Sequence, residues 1–227
     1  IGIINSIGVR ADSGAVGDLA DLLSSKDEAT VAAALNSLAR IGTTKAAKAL
    51  TKAKLPDALK ARLCEARITC ATNLAKSGEE KLANNIFTEL MGTDNADAVR
   101  TAGFLGVISI EKEKALPMII KALKAGDRVL SRAACPALTD MPGKEISKTL
   151  AAEIAGVPSA GKVMILNALA GRKDTAGMSI VVNPLLNDQA PEVKLAATRA
   201  AAKLGDASSV NILAATLKTD DETAQAA

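Results

Sequence analysis

"LARIG", Leu38–Gly42, returns along the chain with the period of a helical hairpin. It stands as "INSIG" at Ile4–Gly8, "LAKSG" at Leu74–Gly78 and "AAKLG" at Ala201–Gly205. Degenerate copies begin at Val107 ("VISIE"), Leu138 ("LTDMP") and Leu169 ("LAGRK"), so successive anchors lie 31 to 36 residues apart. A repeat of this length marks an array of helical pairs, each too thin to bury its apolar face alone.

Working outward from each anchor, the same grammar recurs. A first helix carries apolar residues at helical spacing, as in Val31, Leu35, Leu38 and Ile41. It should stop near the glycine, which takes left-handed dihedrals without a Cβ clash. A second helix follows, carrying Ala46, Ala47 and Leu50 in one unit and Leu82, Ile86, Phe87 and Leu90 in the next. Ser77 and Glu80 have the spacing of a capping box. Pro56 and Pro191 fall where a helix begins and a missing N–H costs nothing. Polar connectors such as "GTDNAD" (92–97) and "NDQAPE" (187–192) rejoin the units.

Composition agrees. Nearly half of the 227 residues are apolar, yet only two are aromatic, both Phe. Ala, Leu, Val and Ile must therefore fill the core, which suits closely approaching helices built from strong helix formers. The net charge of +3, from 28 basic and 25 acidic residues spread evenly, leaves no electrostatic footprint for nucleic acid. No run has the length of a membrane span. Cys64, Cys70 and Cys135 make an odd set without C-x-x-C spacing, and read as free thiols that lean towards a reducing, cytoplasmic compartment.

The segments "DAVRTAGFLGV" (97–107), "PEVKLAATRAAAKLG" (191–205) and "TTKAAKAL" (43–50) carry a resemblance to HEAT-repeat α-solenoids. The chain is most similar to the short bacterial kind, the phycobilisome-lyase-type repeats, whose unit reads D-x-x-V-R-x-x-A-x-x-A-L-G and then A-x-x-x-L. The resemblance covers the whole chain. It implies an all-α, right-handed α-α superhelix of the HEAT or armadillo type. About seven hairpins are expected, at residues 1–24, 25–54, 55–92, 93–125, 126–156, 157–188 and 189–219, with a further unit starting at 220–227. The chain opens within a first helix and stops just after another begins, so it is expected to be a segment of a longer polypeptide.

"GVPSAGKV", Gly156–Val163, comes within one residue of a phosphate-binding loop. Val163 lacks the oxygen that would ligate magnesium, and "KTLAAEIA" before it reads as helix where a phosphate loop needs a strand. Registering the repeats gives Lys162 another role. It lies seven residues before its anchor, as do Arg67, Arg100 and Lys194, with Arg132 one residue out of step. This basic ladder is expected to bind connector acids or carbonyls and hold neighbouring units in register. No nucleotide is expected.

The chain has no His, which removes the commonest general base and metal ligand, and with it Ser–His–Asp, Cys–His and His-containing zinc sites. No catalytic residue, metal ligand or cofactor is expected. In solenoids of this type the second helices line the concave side. Aligning them leaves two non-core positions per unit, and these supply the expected partner-binding residues: Lys48, Lys52, Asn84, Thr88, Lys121, Lys148, Asn183, Asn187 and Asn211. The function expected is a non-enzymatic scaffold that binds a protein or peptide, with neither nucleic acid nor membrane as partner. The alternatives are a spacer or docking arm beside a catalytic domain outside this segment and, more remotely, a lyase- or chaperone-like component. The last follows only from the resemblance, and the scarcity of aromatic side chains to stack on a tetrapyrrole opposes it.

Overall fold

The computed structural model describes residues 1–172 and 179–204, together with 207, 209–211 and 214. Among these every regular element is a helix. The chain divides into two compact units, Ile1–Ile110 and Glu111–Ala227.

In the first unit the elements are α1 (Gly2–Val9), α2 (Val16–Asp21), α3 (Glu28–Ile41), α4 (Thr44–Lys52), α5 (Asp57–Lys76), α6 (Glu80–Leu90) and α7 (Asp97–Glu111), whose last residue opens the second. Helices of like kind lie side by side: α3 packs against both α1 and α5, and α2 against α4. Partners within a hairpin also touch, α3 with α4 and α5 with α6.

Local chemistry explains α3. Asp27 caps its start, Oδ2 accepting from the Thr30 amide at 3.1 Å. Val31, Leu35 and Leu38 then form a buried stripe. Gly42 ends the helix at φ 58°, its N–H donating to the Leu38 carbonyl. A side chain there would also collide with Asn73, whose Cβ lies 2.5 Å from the position a Cβ would take. Two polar side chains tie the layer together. Ser37 Oγ donates to the Ile4 carbonyl at 2.8 Å, and Asn73 Nδ2 to the carbonyls of Ala39 at 3.0 Å and Arg40 at 3.3 Å. Each engages carbonyl oxygen on the neighbouring helix, so these bonds also set the vertical register.

The anchor glycine does not serve one purpose throughout. Gly8 lies inside α1, which runs on to Val9, and its Cα faces Ser37 so closely that a Cβ would come within 2.6 Å of Oγ. Here the glycine admits a neighbouring helix, and the chain turns afterwards through Ala11 at φ 51°. The capping box at Ser77 is likewise replaced. The next helix begins at Glu80 itself, after Glu79, so Glu80 is the first helical residue and not the third. Ser77 closes α5 instead, its hydroxyl donating to the Leu74 carbonyl at 2.9 Å. Pro56 does precede the first turn of α5, and Pro191 opens the helix Pro191–Leu204.

The second unit contains α8 (Leu116–Lys124), α9 (Arg128–Asp140), α10 (Lys144–Glu153), α11 (Ser159–Gly171), α12 (Ser179–Leu185) and α13 (Pro191–Leu204). The first-type helices again form one layer, with α11 between α9 and α13, and α8 touches α10 in the other. Small side chains permit this spacing: α13 buries Val193, Ala196, Ala197, Ala200 and Ala201. Of the two aromatic residues, Phe104 is fully buried on α7 and Phe87 nearly so on α6. A Cβ on Gly106 would stand 2.4 Å from the Phe87 ring, so the ring occupies the space a side chain would fill.

Candidate functional site

Arg67, Arg100 and Lys162 of the ladder are engaged with acids or carbonyls. Arg67, largely buried on α5, donates through Nη2 to Glu89 at the end of α6. Arg100 Nε donates to the Met91 carbonyl at 3.2 Å in the preceding connector. Lys162 Nζ donates to Asp188 Oδ2 at 2.8 Å, with both side chains mostly withdrawn from water. The ammonium's hydrogen bond and a further bond from the Ala190 amide hold the Asp188 carboxyl below the usual range. Lys194 is half-buried on α13 and Arg132 is exposed on α9. The segment Gly156–Val163 runs from a 3-10 turn, Ile154–Gly156, through Pro158 into the first turns of α11. Its lysine is committed to Asp188, in a helix–turn–helix setting.

The expected partner-binding residues divide between the two units. In the first, Lys48 and Lys52 are exposed on α4 and Thr88 on α6, where its hydroxyl donates to the Asn84 carbonyl at 2.8 Å; Asn84 is half-buried. In the second, Lys121, Lys148, Asn187 and Asn211 are exposed. Asn183 requires a correction. Its side chain is buried, and its Oδ1 accepts the Ser209 hydroxyl at 2.7 Å, so it braces the packing and is withdrawn from the accessible surface. Lys148 is bonded to Glu145 at 2.8 Å along its own helix.

The exposed face of α4 is different. Lys45, Lys48 and Lys52 project from one side while Ala46, Ala47 and Leu50 are buried on the other. Among the described residues none of the three lysines enters an ion pair, whereas Lys60, Lys124, Lys148 and Lys162 all do. Lys45 also borders an open cleft of about 510 Å³ formed where the hairpin turns meet, with Thr43, Thr44, Ser13, Ser77 and Glu79. Lys45 lies outside the two non-core positions shared by the second helices, although "TKAAKALTK" (44–52) spaces the three lysines as one helical stripe.

A second hollow, about 380 Å³ and largely apolar, lies over Phe87 among Ile68, Thr72, Ala75, Leu105 and Gly106. Its hydroxyls are used locally: Thr72 donates to the Ile68 carbonyl and Ser109 to that of Gly106.

Nothing in the repeat pattern singles out Arg172. This side chain leaves the end of α11 and is buried in the turn between α9 and α10. Nε donates to Ser147 Oγ at 2.8 Å, Nη1 to the carbonyls of Leu138 at 2.5 Å and Met141 at 2.7 Å, and Nη2 to that of Gly143 at 2.9 Å. Its role is structural, since the fork is consumed by main-chain and hydroxyl oxygens.

The thiols are chemically quiet. Burial pushes Cys70 up to about 11, and it raises Cys64 and Cys135 as well. Among the described residues no group of three or more Cys, Asp or Glu side chains is gathered as a metal-ligand set, and no helix is long and apolar enough to cross a membrane.

Compared with protein-family models, curated proteins and solved structures, the chain matches none.

Proposed function

We propose that this chain is a solenoid of HEAT-like repeats and acts as a non-enzymatic scaffold, holding a protein or peptide along the face made by its second helices. The alternation of first and second helices supports the repeat assignment, as does the side-by-side packing of like helices within each unit. One observation carries the functional reading. The second helices spend their apolar residues on the core and present solvent with Lys48, Lys52, Thr88, Lys121 and Lys148, and Asn187 is exposed in the turn that follows α12. Such a face offers charge and hydrogen bonding on a rigid support, and it suits recognition more than it suits bond-making. Without aromatic anchors the affinity of any one contact is modest, and binding gains strength from the number of repeats engaged.

The test is a peptide array probed with the purified chain and with a variant carrying Lys48→Glu, Lys121→Glu and Lys148→Glu together. Specific peptides bound by the parent should be lost by the variant while its helical content is retained. Unchanged binding rejects the assigned face.

A further inference from the structure

From the α4 stripe we infer a partner chemistry: Lys45, Lys48 and Lys52 form a docking strip for an acidic peptide segment. The inference rests on the scaffold reading above and narrows it to one helix and one class of partner.

The argument is electrostatic frustration. Lys45–Lys48 and Lys48–Lys52 stand at i,i+3 and i,i+4, the spacings at which like charges repel along a helix. Lys45 is also in the first turn, where the helix dipole disfavours a cation, and no acidic residue accompanies it there. Relief is available elsewhere in the chain: Lys148 has Glu145 three residues away, and Lys60 has Asp57. The α4 lysines have no such partner. Asp18 and Asp21 on α2, which packs against α4, form no ion pair with them, nor does Glu79 across the turn cleft. A stretch that breaks three local rules without compensation inside the fold is the signature of a surface shaped for something outside it. The missing element is negative charge. The strip spans about 10 Å along the axis, the rise of two helical turns, and ends beside the open cleft bordered by Thr43 and Thr44. Carboxylates repeated at helical spacing on a short segment would meet all three ammonium groups. The chain as a whole is nearly balanced in charge, which favours a short acidic peptide over a nucleic acid, whose phosphates reward a broad basic field.

The experiment uses fluorescence anisotropy with a labelled helical peptide bearing Glu at i, i+3 and i+7, its Gln counterpart, and an oligonucleotide of equal charge. The parent chain should bind the Glu peptide, more weakly as salt rises, and should bind the Gln peptide at least about fivefold less tightly. Lys48→Glu should remove most of that binding and at the same time raise the melting temperature by about 1–3 °C, because two repulsive spacings become attractive. Lys114→Glu, at an exposed lysine outside the assigned face, should leave binding of this peptide unchanged. The inference is overturned if the Glu peptide does not bind, if both peptides bind alike, if the oligonucleotide binds more tightly, or if Lys48→Glu lowers the melting temperature. If Lys121→Glu and Lys148→Glu abolish binding while Lys48→Glu does not, the scaffold reading survives and the α4 assignment fails. If no reversal has any effect, both fail.

Discussion

Arg172 donates through Nε to Ser147 Oγ at 2.8 Å across 25 residues of sequence, and the rest of its guanidinium closes the carbonyls of Leu138, Met141 and Gly143. A planar fork with fixed donors is the one side chain that can satisfy so many oxygens in a single turn. Arg172→Ala would strand those carbonyls and should destabilise the protein by about 3 kcal/mol. Arg172→Lys should recover only a minor part of the loss, since a single ammonium cannot reach all four acceptors. Urea unfolding of the three proteins checks this, and a lysine variant as stable as the parent would contradict the clamp.

Two glycines should respond to alanine with opposite signs. At Gly106 the new Cβ would meet the Phe87 ring at 2.4 Å, and the cost of displacing a buried ring is about 1–3 kcal/mol. At Gly17, inside α2, the Cβ meets nothing within 4 Å, and the gain in helix propensity is about 0.5–1 kcal/mol. Thermal melts of both variants against the parent measure the contrast.

Acid should act on the Lys162–Asp188 pair. Asp188 has a lower pKa folded than unfolded, so its contribution is fully present above about pH 4 and is lost as the pH falls through the folded value. Asp188→Asn should therefore flatten the acid limb of the stability curve below pH 4 and lower stability near neutrality. An acid limb identical to the parent's would show that the pair does not contribute.

Alkylation should distinguish the thiols. Cys70 is fully buried with its pKa raised to about 11, so iodoacetamide at pH 8 should modify it only after unfolding. Cys64 and Cys135, half-buried, should react first. Mass spectrometry of the native and denatured protein reads the order directly, and rapid native labelling of Cys70 would contradict its burial.

What the sequence determined by itself was local and periodic. The stripe Val31, Leu35, Leu38 fixed which side of α3 is inside, Gly42 fixed where it ends, and the recurrence of that stretch marked out the helices that follow. These features depend on residues within one or two turns of each other, where 3.6-residue spacing and backbone sterics suffice. Tertiary structure decided the rest. Asn183 shared its register with exposed neighbours yet is buried, because Ser209, 26 residues on, supplies a hydroxyl for its amide. Gly8 matched Gly42 in the repeat but admits Ser37 instead of turning the chain. Arg172 stood in an unremarkable degenerate copy, and its oxygens come from residues 25 to 34 positions away. Satisfying a buried polar group is a property of whatever the fold brings next to it, and no local pattern encodes that neighbour.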